Sequence, residues 1–239
     1  MRRLLVLALL PFWLGACSMQ QQEISVPGAI LPAAGMTRLN LDVNVGVITI
    51  TSSTDGQVHV TLSLKPSSSF FGLLTNSSNL AAAQHAVIRH ALNNGTLTLA
   101  VQYPANTDTS DISEHWTVAV PAAIAVTGHV NVGELSVNGI AGGVDANLNV
   151  GIVQLDVPGG PLKITANVGK IQATVRSLDY SNVSLGATVG KTSLTVDGVG
   201  AGNLQKTGSG QNLSYTMNGK NTINLQLTTG TVTLALLTH

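Results

Sequence analysis

The chain reads as an all-β fold of the β-solenoid, β-helix-like type, with rungs of 18–22 residues and one short helix inserted in its N-terminal half. Three observations predict this. First, the triplet Asn-Val-Gly occurs at 44–46, 131–133, 149–151 and 167–169, with Thr-Val-Gly at 188–190, and the step from Asn131 to Asn149 to Asn167 is 18 residues each time. A recurring period of this size marks a stacked repeat. Second, apolar and polar residues alternate on both sides of each glycine, the period of a strand with one buried face. Third, the 239 residues are 44% hydrophobic but only 9% charged and 3% aromatic, against about 25% charged in an average soluble domain. Thr, Asn, Ser and Gly fill the polar positions, which suits strands and tight turns.

The first element is an address. "MRRLLVLALLPFWLGACSMQ" has Arg2 and Arg3, an apolar run from Leu4 to Leu14, and then small residues. This is the layout of a secretory signal, and the run is shorter than the roughly 20 residues that span a bilayer. Leu14-Gly15-Ala16-Cys17 resembles the lipobox of bacterial lipoproteins. That resemblance implies a signal peptide over 1–16, cleavage between Ala16 and Cys17, and acylation of Cys17, the lone cysteine of the chain. With Ser18 and not aspartate after it, the signal is similar to that of outer-membrane lipoproteins. Several acyl chains anchor stably where one does not. A single cysteine leaves no disulfide within the chain. Residues 17–37, with Pro27 and Pro32 and no clear periodicity, read as the lipidated cysteine and a flexible tether.

Residues 38–130 read as irregular β rungs. "LNLDVNVGVITIT" (39–51), "QVHVTLSLK" (57–65), "GTLTLAVQYP" (95–104) and "HWTVAVP" (115–121) alternate as strands. Between the second and third, the Ala-rich stretch predicts a helix over about 78–93, capped by Ser78 or Asn79 and ended by Asn94-Gly95. Leu80, Ala83, Val87 and Ala91 would form its apolar stripe over the first rung.

Residues 131–239 read as the regular solenoid, continuous with 38–130 in one domain. Gly46, Gly133, Gly151, Gly169, Gly190 and Gly230 mark the turns of the repeat, with Gly230 and the further Gly208 continuing the series less cleanly. Leu162, Ile164, Ala166 and Val168 precede Gly169 as one apolar set, and Ile171, Ala173 and Val175 follow it as another. The alternation changes phase across the glycine, as at a bend or bulge. Each repeat is thus strand, glycine corner, strand and loop, stacked at about 4.8 Å per rung. Asn131, Asn149 and Asn167 then form an outward column, either a hydrogen-bonded ladder or simply small polar surface residues. The closing "TGTVTLALLTH" reads as a last apolar rung without a cap, whose edge would pair with a second molecule.

This order of features resembles the DUF4097 family of adhesin-type β-solenoid proteins: an "L-x-L-x-V-x-V-G-x-I-x-I" opening, a helix-containing interruption, "VAVPAAIAVTGHVNVGELSV" at 118–137, and glycine-led alternating rungs to the C-terminus. The resemblance spans 38–239. It implies a β-helix-like fold in an envelope or surface protein and brings no catalytic residues.

The remaining chemistry points away from catalysis. Without Arg2 and Arg3 the chain has 9 basic and 11 acidic residues, so no basic surface suits nucleic acid. The histidines form no HxH or HxxxH pair, so no metal or cofactor is expected. Asp108, Asp111 and Glu114 read as a solvated acidic loop rather than a calcium site, lacking EF-hand spacing. Asp145, Asp156, Asp179 and Asp197 share no phase, so no paired-carboxylate site is suggested. Left-handed hexapeptide-repeat acyltransferases also have 18-residue coils, but positions 138, 156 and 174 are Asn, Asp and Thr, and only His129 lies near the regular rungs. The one concentrated apolar loop, Phe70-Phe71 in "SSSFFGLLT", either packs the helix or forms a contact tip. The sequence therefore predicts a non-enzymatic, lipid-anchored outer-membrane protein with a structural or adhesive role. Expected partners are the membrane through the anchor, an envelope protein, glycan or cell-surface ligand, and a second copy edge to edge. The alternatives are a periplasm-facing scaffold or assembly factor of the outer membrane and, further off, an acyltransferase-like enzyme.

Overall fold

Alternating apolar and polar residues become strand along most of the chain. The computed structural model describes residues 23–66, 77–107, 109, 111–199, 202–209 and 212–238. In chain order the elements are β1 (Ile24–Pro32), β2 (Arg38–Ser53), β3 (Gln57–Pro66), α1 (Ser77–Gln84), β4 (Val87–Asn93), β5 (Thr96–Gln102), β6 (Ile112–Pro121), β7 (Ala125–Asn138), β8 (Val144–Val157), β9 (Leu162–Val175), β10 (Tyr180–Val199), β11 (Gly202–Ser209), β12 (Leu213–Thr216) and β13 (Asn221–Leu236). The strands make one mixed sheet.

Six long strands run parallel in the order β2-β7-β8-β9-β13-β10. Their glycines are in register: Gly46, Gly133, Gly151, Gly169, Gly230 and Gly190 are successive lateral partners. The strands fold back on themselves, as β8 illustrates. Its 14 residues would extend about 46 Å if straight. Yet only residues 158–161 separate Val157 from Leu162, and Leu162 is the lateral partner of Val144, the first residue of β8. The two ends of β8 therefore lie within reach of one short loop. The corner between its two arms is at Gly151, whose φ of 153° is a conformation that side-chain-bearing residues rarely adopt.

Inside the fold, equivalent side chains stack. Val130, Leu148, Ala166 and Leu227 form one buried column, and Leu135, Val153, Ile171 and Val232 another. Fully burying each Val, Leu or Ile contributes about 1.5–3 kcal/mol. At one end β5 and β6 pair with the two arms of β2, β4 pairs with β5, and β3 and then β1 add antiparallel to β6. At the other end β11 and β12 pair antiparallel with the two arms of β10.

The structure corrects the sequence expectations in five places. The helix stops at Gln84, and Val87–Asn93, expected as helix, is β4. Asn94 and Gly95, with φ of 49° and 77°, are the two-residue turn of the β4–β5 hairpin rather than a helix cap; Asn-Gly is the favoured pair for such a turn. Residues 24–32, expected as tether, form β1, an edge strand with a register shift between Val26 and Ala29 that accommodates Pro27. Val168 is 46% exposed rather than core. Residues 167–170 all lie on the convex side of the corner, so the inward set passes from Ala166 to Ile171. Gly208 lies in β11 opposite Thr192 and is no part of the corner column. Finally, β13 is not an open last rung: β9 flanks one edge and β10 the other, so the C-terminal strand offers no edge to a second molecule.

Candidate binding surface

The repeat places the same outward positions above one another. Immediately before the corner, Asn131 Nδ2 donates to Asn44 Oδ1 at 3.0 Å, Asn149 Nδ2 to Asn131 Oδ1 at 3.2 Å, and Asn167 Nδ2 to Asn149 Oδ1 at 2.8 Å. Asn131 and Asn149 each accept from one neighbour and donate to the next, with Asn44 accepting at one end and Asn167 donating at the other, so the dipoles align along the stack. Of the two expectations for these residues, the geometry is that of the ladder. Beside it the exposed Val132, Val150 and Val168 make an apolar line along the corner.

Why the corner demands glycine is visible in the spacing. A Cβ on Gly133 would lie 1.7 Å from the carbonyl oxygen of Gly46, and one on Gly151 would lie 1.8 Å from that of Gly133. The same holds at Gly169, Gly190 and Gly230, while at Gly46 the oxygen is that of Glu114. The backbone of one strand occupies the space a side chain would need on the next.

Beyond the corner, Ser136, Asn138, Gln154, Asp156, Gln172 and Thr174 line a shallow groove of about 320 Å³ on β7–β9. Gln154 donates to Glu134 at 2.7 Å and Arg176 to Asp156 at 2.8 Å, tying neighbouring strands together. Lys163 and Asp145 pair at 3.7 Å on the other arm. These are exposed contacts of small energy. What they do is hold amides, hydroxyls and carboxylates at one repeat distance along a flat face.

Glu114, expected in a solvated acidic loop, instead lies in β6 and turns inward. Tyr103 donates its hydroxyl to Glu114 Oε1 at 3.2 Å, and Trp116 Nε1 donates to Oε2 at 2.8 Å. Burial pushes the carboxyl above its ordinary range despite those two donors, and Tyr103 is pushed up by burial and by the same carboxylate. Sequence reading missed this cluster because its members come from a loop and a strand 11 residues apart; the alternation of β6 was its only signal.

Cys17, Ala16, Phe70 and Phe71 lie outside the described residues. Among the described residues no three His, Cys, Asp or Glu side chains gather as metal ligands would, and no helix is long and apolar enough to cross a membrane.

The chain matches no family model and no curated protein. It does match solved structures. A protein from Clostridium sporogenes assigned to cell adhesion aligns over 90% of this chain and 100% of its own, at 14% identity and TM-score 0.52. One from Bacteroides fragilis assigned as an adhesin aligns over 91% and 98%, at 12% identity and TM-score 0.28. The glycine-cornered sheet, from its first strands to its last, is thus similar in fold to the Clostridium sporogenes protein.

Proposed function

We propose that the chain is a lipid-anchored, non-enzymatic protein of the bacterial outer membrane, a β-solenoid of 18–22-residue rungs that binds its partner through the regular outer surface. The observation that carries this reading is the in-register stack from β2 to β10, which repeats outward polar positions along its length and crowns them with the asparagine ladder. A surface that repeats at one spacing suits an extended partner with its own repeat, such as a glycan or another envelope component, better than a single small molecule. The assignment of the similar Clostridium sporogenes protein to cell adhesion supports the same direction.

The test is retention of purified peptidoglycan, envelope polysaccharide and outer-membrane protein extracts on immobilised protein, compared with a Gln154→Lys/Gln172→Lys variant. The expected result is retention of one class, lost in the variant at unchanged melting temperature. Retention of none, or retention untouched by the substitutions, overturns the reading. A role as periplasm-facing scaffold is favoured by one feature: β1 occupies residues 24–32 of the expected tether and begins seven residues after Cys17, so the sheet is held close to the membrane. Protease treatment of intact cells separates the two, because only the cell-surface protein is cleaved.

A further inference from the structure

The exposed large apolar side chains of the described residues fall into two groups. Val132, Val150, Ile152, Val168 and Val189 belong to the glycine corner. The other three are Ile30 at 65%, Leu92 at 47% and Val87 at 44% exposed, and they lie on β1 and β4. These are the outermost strands at one end of the sheet: among the described residues β1 pairs only with β3, and β4 only with β5. Val87 and Leu92 are five residues apart and so point to opposite faces of β4. The open edge of that strand is thereby flanked by apolar groups on both sides.

Charge at this end is equally one-sided. β1, β3, α1, β4 and β5 contain Lys65 and Arg89 and no carboxylate. Glu23, just before β1, pairs with Lys65 at 3.5 Å, and Asp55, in the turn before β3, with His59 at 2.7 Å; Arg89, whose Nε donates to Gln102, is the cation of these strands that no carboxylate pairs among the described residues. The chain also enters the sheet here. From Cys17 to Ile24 is seven residues, at most about 25 Å of extended chain.

We propose that this end of the sheet docks on the bilayer, with Ile30, Val87 and Leu92 entering the headgroup region and Arg89 facing its anionic lipids. The inference rests on Cys17 being the lipid anchor. A tether this short holds the end at high effective concentration over the membrane, so a few apolar contacts suffice to orient it. The headgroup region is hydrated, which leaves the open edge of β4 its hydrogen-bond partners. The sheet then stands off the membrane with β11 and β12 farthest away.

The experiment uses the mature lipidated protein reconstituted in vesicles of phosphatidylethanolamine and phosphatidylglycerol. Acylation blocks Cys17, so Ile30→Cys, Leu92→Cys and Val189→Cys each take one polarity-sensitive fluorophore. Expected are blue-shifted emission protected from aqueous iodide at 30 and 92, and aqueous, quenchable emission at 189. In a Val87→Ser/Leu92→Ser background the shift at 30 is lost while the protein stays on the vesicles. Vesicle-bound protein with aqueous emission at 30 and 92, or with all three labels shifted alike, overturns the docking and leaves the anchor standing. Protein that fails to partition with vesicles overturns both.

Discussion

A methyl group at Gly151 would sit 1.8 Å from the oxygen of Gly133 while forcing an alanine to φ 153°. Neither strain has an easy relief, because both partners are backbone within a six-strand stack. Gly151→Ala is expected to lose about 3 kcal/mol or more of stability, seen as a fall in the midpoint of chemical denaturation. Thr192 is the opposite case. It lies 1% exposed beside Val232, in the column of Leu135, Val153 and Ile171, and its hydroxyl finds no partner. Thr192→Val is expected to raise stability by about 1 kcal/mol. At Glu114 the folded pKa is raised by burial above the ordinary 4.5. The folded state therefore binds more proton than the unfolded one, and the contribution of this group to stability is full below 4.5 and declines as pH rises through its raised folded value. Glu114→Gln keeps an acceptor for Trp116 and is expected to flatten that decline, measured as melting temperature against pH. Gly133, Gly151 and Gly169 were legible in the sequence because they repeat every 18 residues. Thr192 was not, since threonine also fills the outward positions and only the pairing with β13 shows which column it joins.

At the level of elements, alternation located the long strands because each arm buries one face. The corner residues escaped it: a period-2 pattern does not show how many residues a turn consumes, so Val168 was assigned to the core. The segment 77–95 failed for another reason. Its alanines favour helix locally, but Val87, Ile88 and Asn94-Gly95 favour a hairpin, and pairing of β4 with β5 decides the outcome. β13 is the most consequential element, with both edges and its buried Ile223, Leu225, Leu227, Val232, Leu234 and Leu236 committed to the stack. A chain ending at Lys220 is expected to lose its cooperative thermal transition and to become protease-sensitive within β9 and β10. An unchanged transition would mean that those two strands close on each other instead.

For the whole molecule, the proposed anchor at Cys17 and the architecture are separable. Cys17→Ala is expected to leave the circular dichroism spectrum and melting temperature of the mature domain unchanged while moving the protein from the membrane fraction to the soluble one. The all-β class was readable from alternation and composition, whereas the order of strands was not. Every long strand has the same local pattern, so nothing near Gly190 or Gly230 announces that the later strand lies between the earlier two. That insertion bears on how the protein is made. Synthesis delivers a chain N-terminus first, and a simple stack could crystallise onto itself step by step as it emerges. Here the seed grows only as far as β9, and the next strand to arrive belongs one place farther out. The gap is expected to stay open, with two ribbons of unpaired peptide groups facing it, until β13 has arrived. The interval before β13 arrives is thus when a chaperone that binds exposed strand edges has something to hold.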